Sequence, residues 1–431
     1  MKENLFLGVA RRTITPKVGT YLYGYRPNHA SESVNDDLTA TAFYFAQGGE
    51  RALLVSVTVA EVHRDIVNEI VSAVEKKHGI ARSSIILHSI HTHSGPNLIG
   101  TFGWGDIDTV YRDEIFVPEV LAAIDGAVAN VQPVTMAIAS GKSLVGVNRR
   151  ELGLDNEVGL GQCPWGPFDP QMTILSFRGE GGACVANLIH YGAHPTASGM
   201  NVEITRDWPG VMMDALEEKT GGVTAFINGP EGDVGPRLAN GWTTADLPQA
   251  MAHGKWAGED ACRIYEEMGA YHTPRLASFG GEVVLPLMPR ISLAEAKAEY
   301  ENYKGSTSNS LAQRANYYKK VIASYEEGYV EEATRAFHQT IIRLGDVAIV
   351  SFPFELFSEI GLRIKKASDV PYVLSLALAN GSSGYFATES DLCRGGYEII
   401  MSRTANVQAY APNADWYVVT GTVENLKKTE D

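Results

Sequence analysis

The sequence predicts an α/β fold: a mixed β-sheet core covered by helices, with a helical hairpin insertion. Three observations point there. Short β-branched apolar runs recur along the chain, segments with a helical hydrophobic period lie between them, and one long stretch is polar and alanine-rich. Strands alternating with helices are the pattern of α/β layering.

The strand-like runs are 51–59, 84–90, 172–177, 223–227 and 347–352. Near-continuous apolar runs of this kind suit strands buried on both faces. Residues 65–78 place Ile66, Ile70, Val71 and Val74 on one helical stripe before a stop at Gly79. The segments 113–131 and 208–219 repeat the theme, the second ending at Gly221. From 292 to 338 the pattern is mostly helical, broken near Gly305-Ser306-Thr307-Ser308, and is read as a hairpin packed on the outside, an arm of about 291–340. No low-complexity linker divides the chain, so residues 1–431 are read as one domain carrying that arm.

A chain of 431 residues can bury a large core without crosslinks or structural metals. Its net charge of −15 argues against nucleic acid or an anionic membrane as partner, since either needs a basic face. No window approaches the roughly 18 apolar residues of a membrane span. The stretch through Gly8 is far too short for a signal peptide. Cys163, Cys184, Cys262 and Cys393 are scattered, with no CxxC pair, which suits reduced thiols. The expectation is a cytoplasmic protein acting on a small-molecule substrate, with no nucleic-acid or membrane partner; a homo-oligomer is left open.

Chemistry begins at His91-Thr92-His93, which follows an apolar strand and precedes the turn Ser94-Gly95-Pro96. Residues two apart in an extended chain share a face, so both imidazoles converge if the strand runs on. Two polar residues at a strand end are the blander reading. His194 follows another apolar strand and precedes Pro195. Gly192 and Pro195 argue against a helical His190–His194 pair, so His190 reads as a core residue and His194 as the better ligand. Glu355 lies past a buried strand, where it either caps a helix or binds a cation; taken alone, capping is favoured. In Gly395-Gly396-Tyr397-Glu398 the glycines let the backbone approach another group closely. Asp233 either shapes a turn or orients a ligand histidine, and Asp207 either caps the following helix or faces the site, capping being favoured. Two histidines and a glutamate with an open position form a zinc hydrolase shell; the same set describes mononuclear iron oxygenases. There is no HExxH, so the ligands would come from distant loops.

Taken in order, several segments resemble the catalytic N-terminal domain of the neutral/alkaline non-lysosomal ceramidase family. They are 8–16, His91-Thr92-His93-Ser94-Gly95-Pro96, Gly146-Val147-Asn148-Arg149, Gly192-Ala193-His194-Pro195-Thr196, Gly232-Asp233-Val234-Gly235-Pro236-Arg237, Phe352-Pro353-Phe354-Glu355, and 384–388 followed by Gly396-Tyr397-Glu398. HTHSGP is the most specific of them. The resemblance implies one Zn2+ per chain, with His91, His194, Glu355 and Tyr397 as ligands. It further implies that His93 moves protons and that Arg149 binds a substrate oxygen.

Two features depart from the family pattern. Ceramidases carry a catalytic serine in a Gly-Asn-Leu-Ser-Pro-like loop, where this chain has Gly235, and they possess a C-terminal β-sandwich for which these 431 residues leave no room. The expected activity is therefore hydrolysis of an amide C–N bond in a small, polar substrate by a metal-activated water, whose pKa falls from about 16 to about 7 on zinc. A lactone or ester hydrolase using the same site, a mononuclear iron enzyme and a non-catalytic family member are the alternatives.

Overall fold

Eight strands form one mixed sheet in the order Val223–Asn228, Cys184–Tyr191, Gln171–Gly179, Val131–Lys142, Leu5–Thr13, Thr39–Gln47, Glu50–Val57, Ile85–Ser89. This arrangement comes from a computed structural model that describes residues 3–307 and 309–429; Ser308, at the expected break in the arm, lies outside the described residues. Neighbours pair antiparallel except at the two ends. There Ile85–Ser89 runs parallel to Glu50–Val57, and Val223–Asn228 parallel to Cys184–Tyr191. The apolar runs read from the sequence are these strands, and Leu53, Leu54, Val55, Ile86 and Leu87 are all buried, as expected for strands covered on both faces.

The sheet curves until its edge strands face one another. Across that seam Ser56 Oγ donates to the Phe226 carbonyl (2.7 Å), the Asn228 N–H donates to His88 Nε2 (2.8 Å), and Asn228 Nδ2 donates to the Ile90 carbonyl (3.0 Å). A second sheet, ordered Leu276–Pro286, Thr334–Leu344, Val347–Ser351, Tyr372–Leu376, shares a core with the first. Leu54, Ile86, Leu188 and Ile227 from one sheet pack with Ile342, Ile349 and Leu374 from the other.

Helix Arg64–His78 buries Ile66, Ile70, Val71 and Val74, and ends at Gly79 in the left-handed region (φ 65°), a conformation cheap only for glycine. Helix Asp207–Thr220 ends likewise at Gly221. The expected helix at 113–131 is shorter: an α-helix of Val117–Ala129 follows a π-turn at Arg112–Phe116, and Val131 already begins a strand.

The arm also differs from expectation. Its two helices are Leu293–Tyr303 and Asn309–Glu326, and the chain from Thr334 to Leu344 is a strand between Leu276–Pro286 and Val347–Ser351. Thr340, Ile341 and Ile342 are β-branched and buried between those neighbours, so sheet pairing wins over the helical pattern there. The hairpin thus ends at Glu326 rather than near 340. Among the described residues no helix is long and apolar enough to cross a membrane, and the four cysteines are free.

Candidate metal centre

His91 and His93 leave the edge strand Ile85–Ser89, whereas His194 leaves Cys184–Tyr191, the strand beside the opposite edge. The curvature that brings the edges together brings these exits together. His91 and His93 do converge, with Nε2 atoms 3.3 Å apart. Simple strand alternation is not the cause, because the strand stops at Ser89 and His91 is left-handed (φ 77°). The backbone N–H of His91 donates to the Val59 carbonyl (3.0 Å), which holds that conformation.

His91 Nδ1 lies 3.0 Å from the Ala60 carbonyl, and His194 Nδ1 lies 2.7 Å from the Glu231 carbonyl and 3.1 Å from that of Val234. An Nδ1–H donated to a carbonyl leaves a lone pair on Nε2, the arrangement found behind metal-bound histidines. Both Nε2 atoms face one oxygen, Glu355 Oε2, at 3.3 Å from His91 and 3.1 Å from His194. Three acceptors gather this closely only around a proton or a cation. Burial lowers the His91 pKa, but the Glu355 carboxylate beside it more than compensates and raises it to about 9. His194 stays neutral, pushed down to about 3 by burial and by Arg149. Burial works to raise the Glu355 pKa, yet His91 and His194 hold it well below the ordinary range.

Glu355 sits on the short strand Glu355–Leu356, parallel to Tyr385–Phe386. It does not cap a helix: the next one starts at Ser358, whose N–H donates instead to Asp233 Oδ1 (2.7 Å). Asp233 Oδ2 also accepts from Ser358 Oγ (3.0 Å) and Asn148 Nδ2 (2.9 Å). Asp233 therefore ties its loop to that helix, and it is the neighbouring carbonyls that orient His194. Asp207 accepts from the N–H groups of Trp208, Ala197 and Ser198, tying the start of its helix to the loop after His194. His190 is a core residue, its Nε2 2.9 Å from the Ser375 carbonyl.

His93 differs from its neighbours. Its Nδ1 is buried without a partner, and its ring packs edge-on against Tyr25 at 5.1 Å. Burial first, then His91 and His194, push its pKa well below the usual value, so it is a neutral base. Tyr397 heads the helix Tyr397–Thr404 and packs edge-on to Tyr385 at 5.9 Å. It lines the same cavity as His91, His93 and Glu355, a space of about 560 Å³. Tyr385 also lines that cavity; Arg149 does not. Arg149 Nη2 donates to the Tyr385 hydroxyl (3.0 Å) and its Nε to Glu398 Oε1 (2.9 Å). Glu398 Oε2 in turn accepts from Arg150 Nη1 (2.7 Å), and the Gly395 carbonyl from Arg150 Nη2 (2.7 Å). The close approach expected of the glycine pair is thus to Arg150.

Gly235 lies in the strand Val234–Pro236, opposite Val147. A Cβ there would stand 2.6 Å from Thr243 Cβ, so the backbone fits only because the residue is glycine.

Two acids at the site carry no sequence motif. Glu61 accepts from Ser382 Oγ and lies 3.4 Å from the Tyr23 hydroxyl on the cavity wall. Glu231 is fully buried with both carboxylate oxygens unpartnered. The available signal was an acid isolated among apolar or turn residues, Val59-Ala60-Glu61-Val62 and Gly229-Pro230-Glu231-Gly232. Among the described residues, two groups have the proximity needed to hold an ion, His91/His93/His194 and His91/Glu231/Glu355, each with ligand atoms within 4.8 Å of one another.

The same chain matches the model of the family described as neutral/alkaline non-lysosomal ceramidase, N-terminal, over residues 5–262, more than half its length. Its fold is similar to the crystal structure of neutral ceramidase from Pseudomonas aeruginosa, with TM-score 0.75 at 17% identity, covering 99% of this chain and 74% of that one. A ceramidase complexed with C2 gives TM-score 0.75 at 16% identity, covering 100% and 76%. With a family model spanning most of the large sheet and the folds superposing over nearly the whole chain, this protein belongs to the neutral/alkaline non-lysosomal ceramidase family.

Proposed function

We propose that this chain is a zinc-dependent hydrolase that cleaves the amide C–N bond of a small, polar substrate. One observation carries the reading: Glu355 Oε2 is shared by the Nε2 atoms of His91 and His194, whose Nδ1 atoms are both held by carbonyls, and this cluster opens on a cavity. His91, His194, Glu355 and Tyr397 would hold the ion. When bound, zinc supplies a Lewis acid for the scissile carbonyl and a water of lowered pKa. His93, beside His91 and kept neutral by burial, accepts the proton of the attacking water at Nε2 and returns it to the leaving nitrogen. Tyr385 keeps its phenolic proton, because burial and Glu355 raise its pKa well above the usual value. With its oxygen accepting from Arg149, its own O–H donates to the developing oxyanion, and the guanidinium behind it strengthens that donor.

A polar substrate is supported by the cavity wall, where Glu61, Arg64, Gln313, Asn316 and Lys320 face the space. A long acyl chain would have to desolvate these groups without replacing their hydrogen bonds, at a cost of about 1–3 kcal/mol each. Gly235 supplies no hydroxyl, which supports water as the nucleophile. The test is metal analysis of protein purified without added metal, followed by a panel of polar amides and lactones with and without chelator. Stoichiometric zinc with chelator-sensitive amide cleavage is expected; turnover of lactones alone would replace the amide assignment, and full activity without metal would end the reading.

A further inference from the structure

We infer that Glu231 is a further ligand of the metal ion, giving this chain a second carboxylate in its metal shell. The inference rests on the metal-site reading above.

The Glu231 side chain is fully buried, and neither of its carboxylate oxygens has a hydrogen-bond partner. A carboxylate taken out of water without partners is among the costlier groups a protein can bury. The nearby charges of His91 and Arg149 favour the carboxylate but do not outweigh its burial. Its oxygen nevertheless lies within 4.8 Å of the ligand atoms of both His91 and Glu355. The side chain therefore points at the two groups that already crowd one centre.

The backbone fixes that aim. The Glu231 carbonyl accepts from His194 Nδ1 (2.7 Å), and the next N–H, that of Gly232, donates to the Leu356 carbonyl (3.0 Å). A Cβ on Gly232 would stand 2.5 Å from the Glu355 carbonyl oxygen, so this loop presses on the Glu355 strand more closely than any side chain would permit. Glu231 is thus clamped between the segments bearing His194 and Glu355, with its unpartnered carboxylate facing them.

A divalent ion accounts for the whole set at once. It offers the unpartnered carboxylate a positive charge, and two carboxylates neutralise its two charges. A carboxylate added to two imidazoles also hardens the shell, so binding of manganese relative to zinc should be stronger than in the variant lacking it.

The experiment compares wild type with Glu231→Gln, Glu231→Ala and His194→Ala. Zinc affinity is measured by chelator competition and the number of oxygen and nitrogen neighbours by X-ray absorption on zinc-loaded protein. Expected are a 10–100-fold or greater loss of zinc affinity in both Glu231 variants, one fewer oxygen neighbour in Glu231→Ala, and near-complete loss of zinc in His194→Ala. If His194→Ala loses zinc while both Glu231 variants keep wild-type affinity and coordination, this inference is wrong and the metal site stands. If His194→Ala also keeps its zinc, the metal-site reading itself fails. Should the Glu231 variants not fold, a crystal structure of the zinc-loaded wild type decides: a Glu231 oxygen bound to the ion supports the assignment, and one turned away from it overturns it.

Discussion

His88 Nε2 accepts a hydrogen bond from the backbone N–H of Asn228 (2.8 Å), while its Nδ1 lies 2.8 Å from the Ala377 carbonyl. One neutral imidazole thereby joins the two edges of the eight-stranded sheet and anchors the loop after the Tyr372–Leu376 strand. Replacing it leaves a buried N–H and a buried carbonyl unpaired, each costing about 1–3 kcal/mol. His88→Ala should lose about 3 kcal/mol or more, read as a lower denaturant midpoint. The pH dependence follows from burial, which lowers the folded pKa of His88 to about 3. Unfolded His88 takes a proton near the ordinary value of about 6.5, so the stability it contributes is complete above that pH and is lost as pH falls toward 3, by up to about 1.4 kcal/mol per pH unit. The gap between wild type and variant should therefore narrow on acidification; a constant gap would contradict the neutral bridge.

The three histidines should separate by function. His91→Ala and His194→Ala remove donors whose Nδ1 atoms are tied to carbonyls, and both should abolish metal retention and activity. His93→Ala should keep the metal and lose turnover by about 10²–10⁴-fold. Elemental analysis alongside kcat distinguishes them, and unchanged turnover in His93→Ala would remove its proton-carrying role.

Gly24 controls where the His93 ring sits. Its φ is 128°, and a Cβ there would stand 2.5 Å from His93 Cγ and Nδ1. Gly24→Ala is expected to displace the imidazole, lowering kcat by at least 10-fold while metal content remains near wild type; a displacement of 1 Å at a reacting group can cost about 100-fold. Metal loss in Gly24→Ala would place the damage elsewhere.

Glu398 is shared by Arg149 and Arg150, all three buried. Removing one partner of a buried ionic cluster strands the others, at about 3–5 kcal/mol. Glu398→Ala should destabilise by that amount and also weaken catalysis, because Arg149 no longer has a fixed position behind Tyr385. A thermal midpoint equal to wild type would show that the guanidiniums find water instead.

Gly235→Ser would restore the hydroxyl expected of a ceramidase, yet it should not restore a nucleophile. The added Cβ meets Thr243 at 2.6 Å, and overpacking of this kind costs about 1–3 kcal/mol. Lower stability with no gain in amide turnover is the expected outcome. A rise in kcat would mean that the loop relaxes and that a serine route is available.

Much of the fold was legible because hydrophobic period is a local property. Leu54, Ile86 and Ile227 lie in runs readable as strands, and Gly79 and Gly221 end helices in the left-handed region where glycine costs least. The arm was misjudged beyond Glu326 because Thr340, Ile341 and Ile342 owe their strand conformation to neighbours distant in sequence. The HTH pair was legible as a pair, but the left-handed turn at His91 was not, since it depends on the Val59 carbonyl. Glu231 and Glu61 escaped notice because a carboxylate in a turn carries no period; only burial without a partner marks Glu231.

The sequence by itself determined which segments become strands and helices, and which residue types are available for the site, because those follow from local hydrophobic spacing and side-chain chemistry. Only the tertiary structure decided that His91 and His194, leaving strands near opposite ends of the sheet order, meet at one oxygen of Glu355. The physical reason is closure of the curved sheet. Its edges are joined by Ser56, His88 and Asn228, contacts between residues well over a hundred positions apart, and no local pattern encodes them.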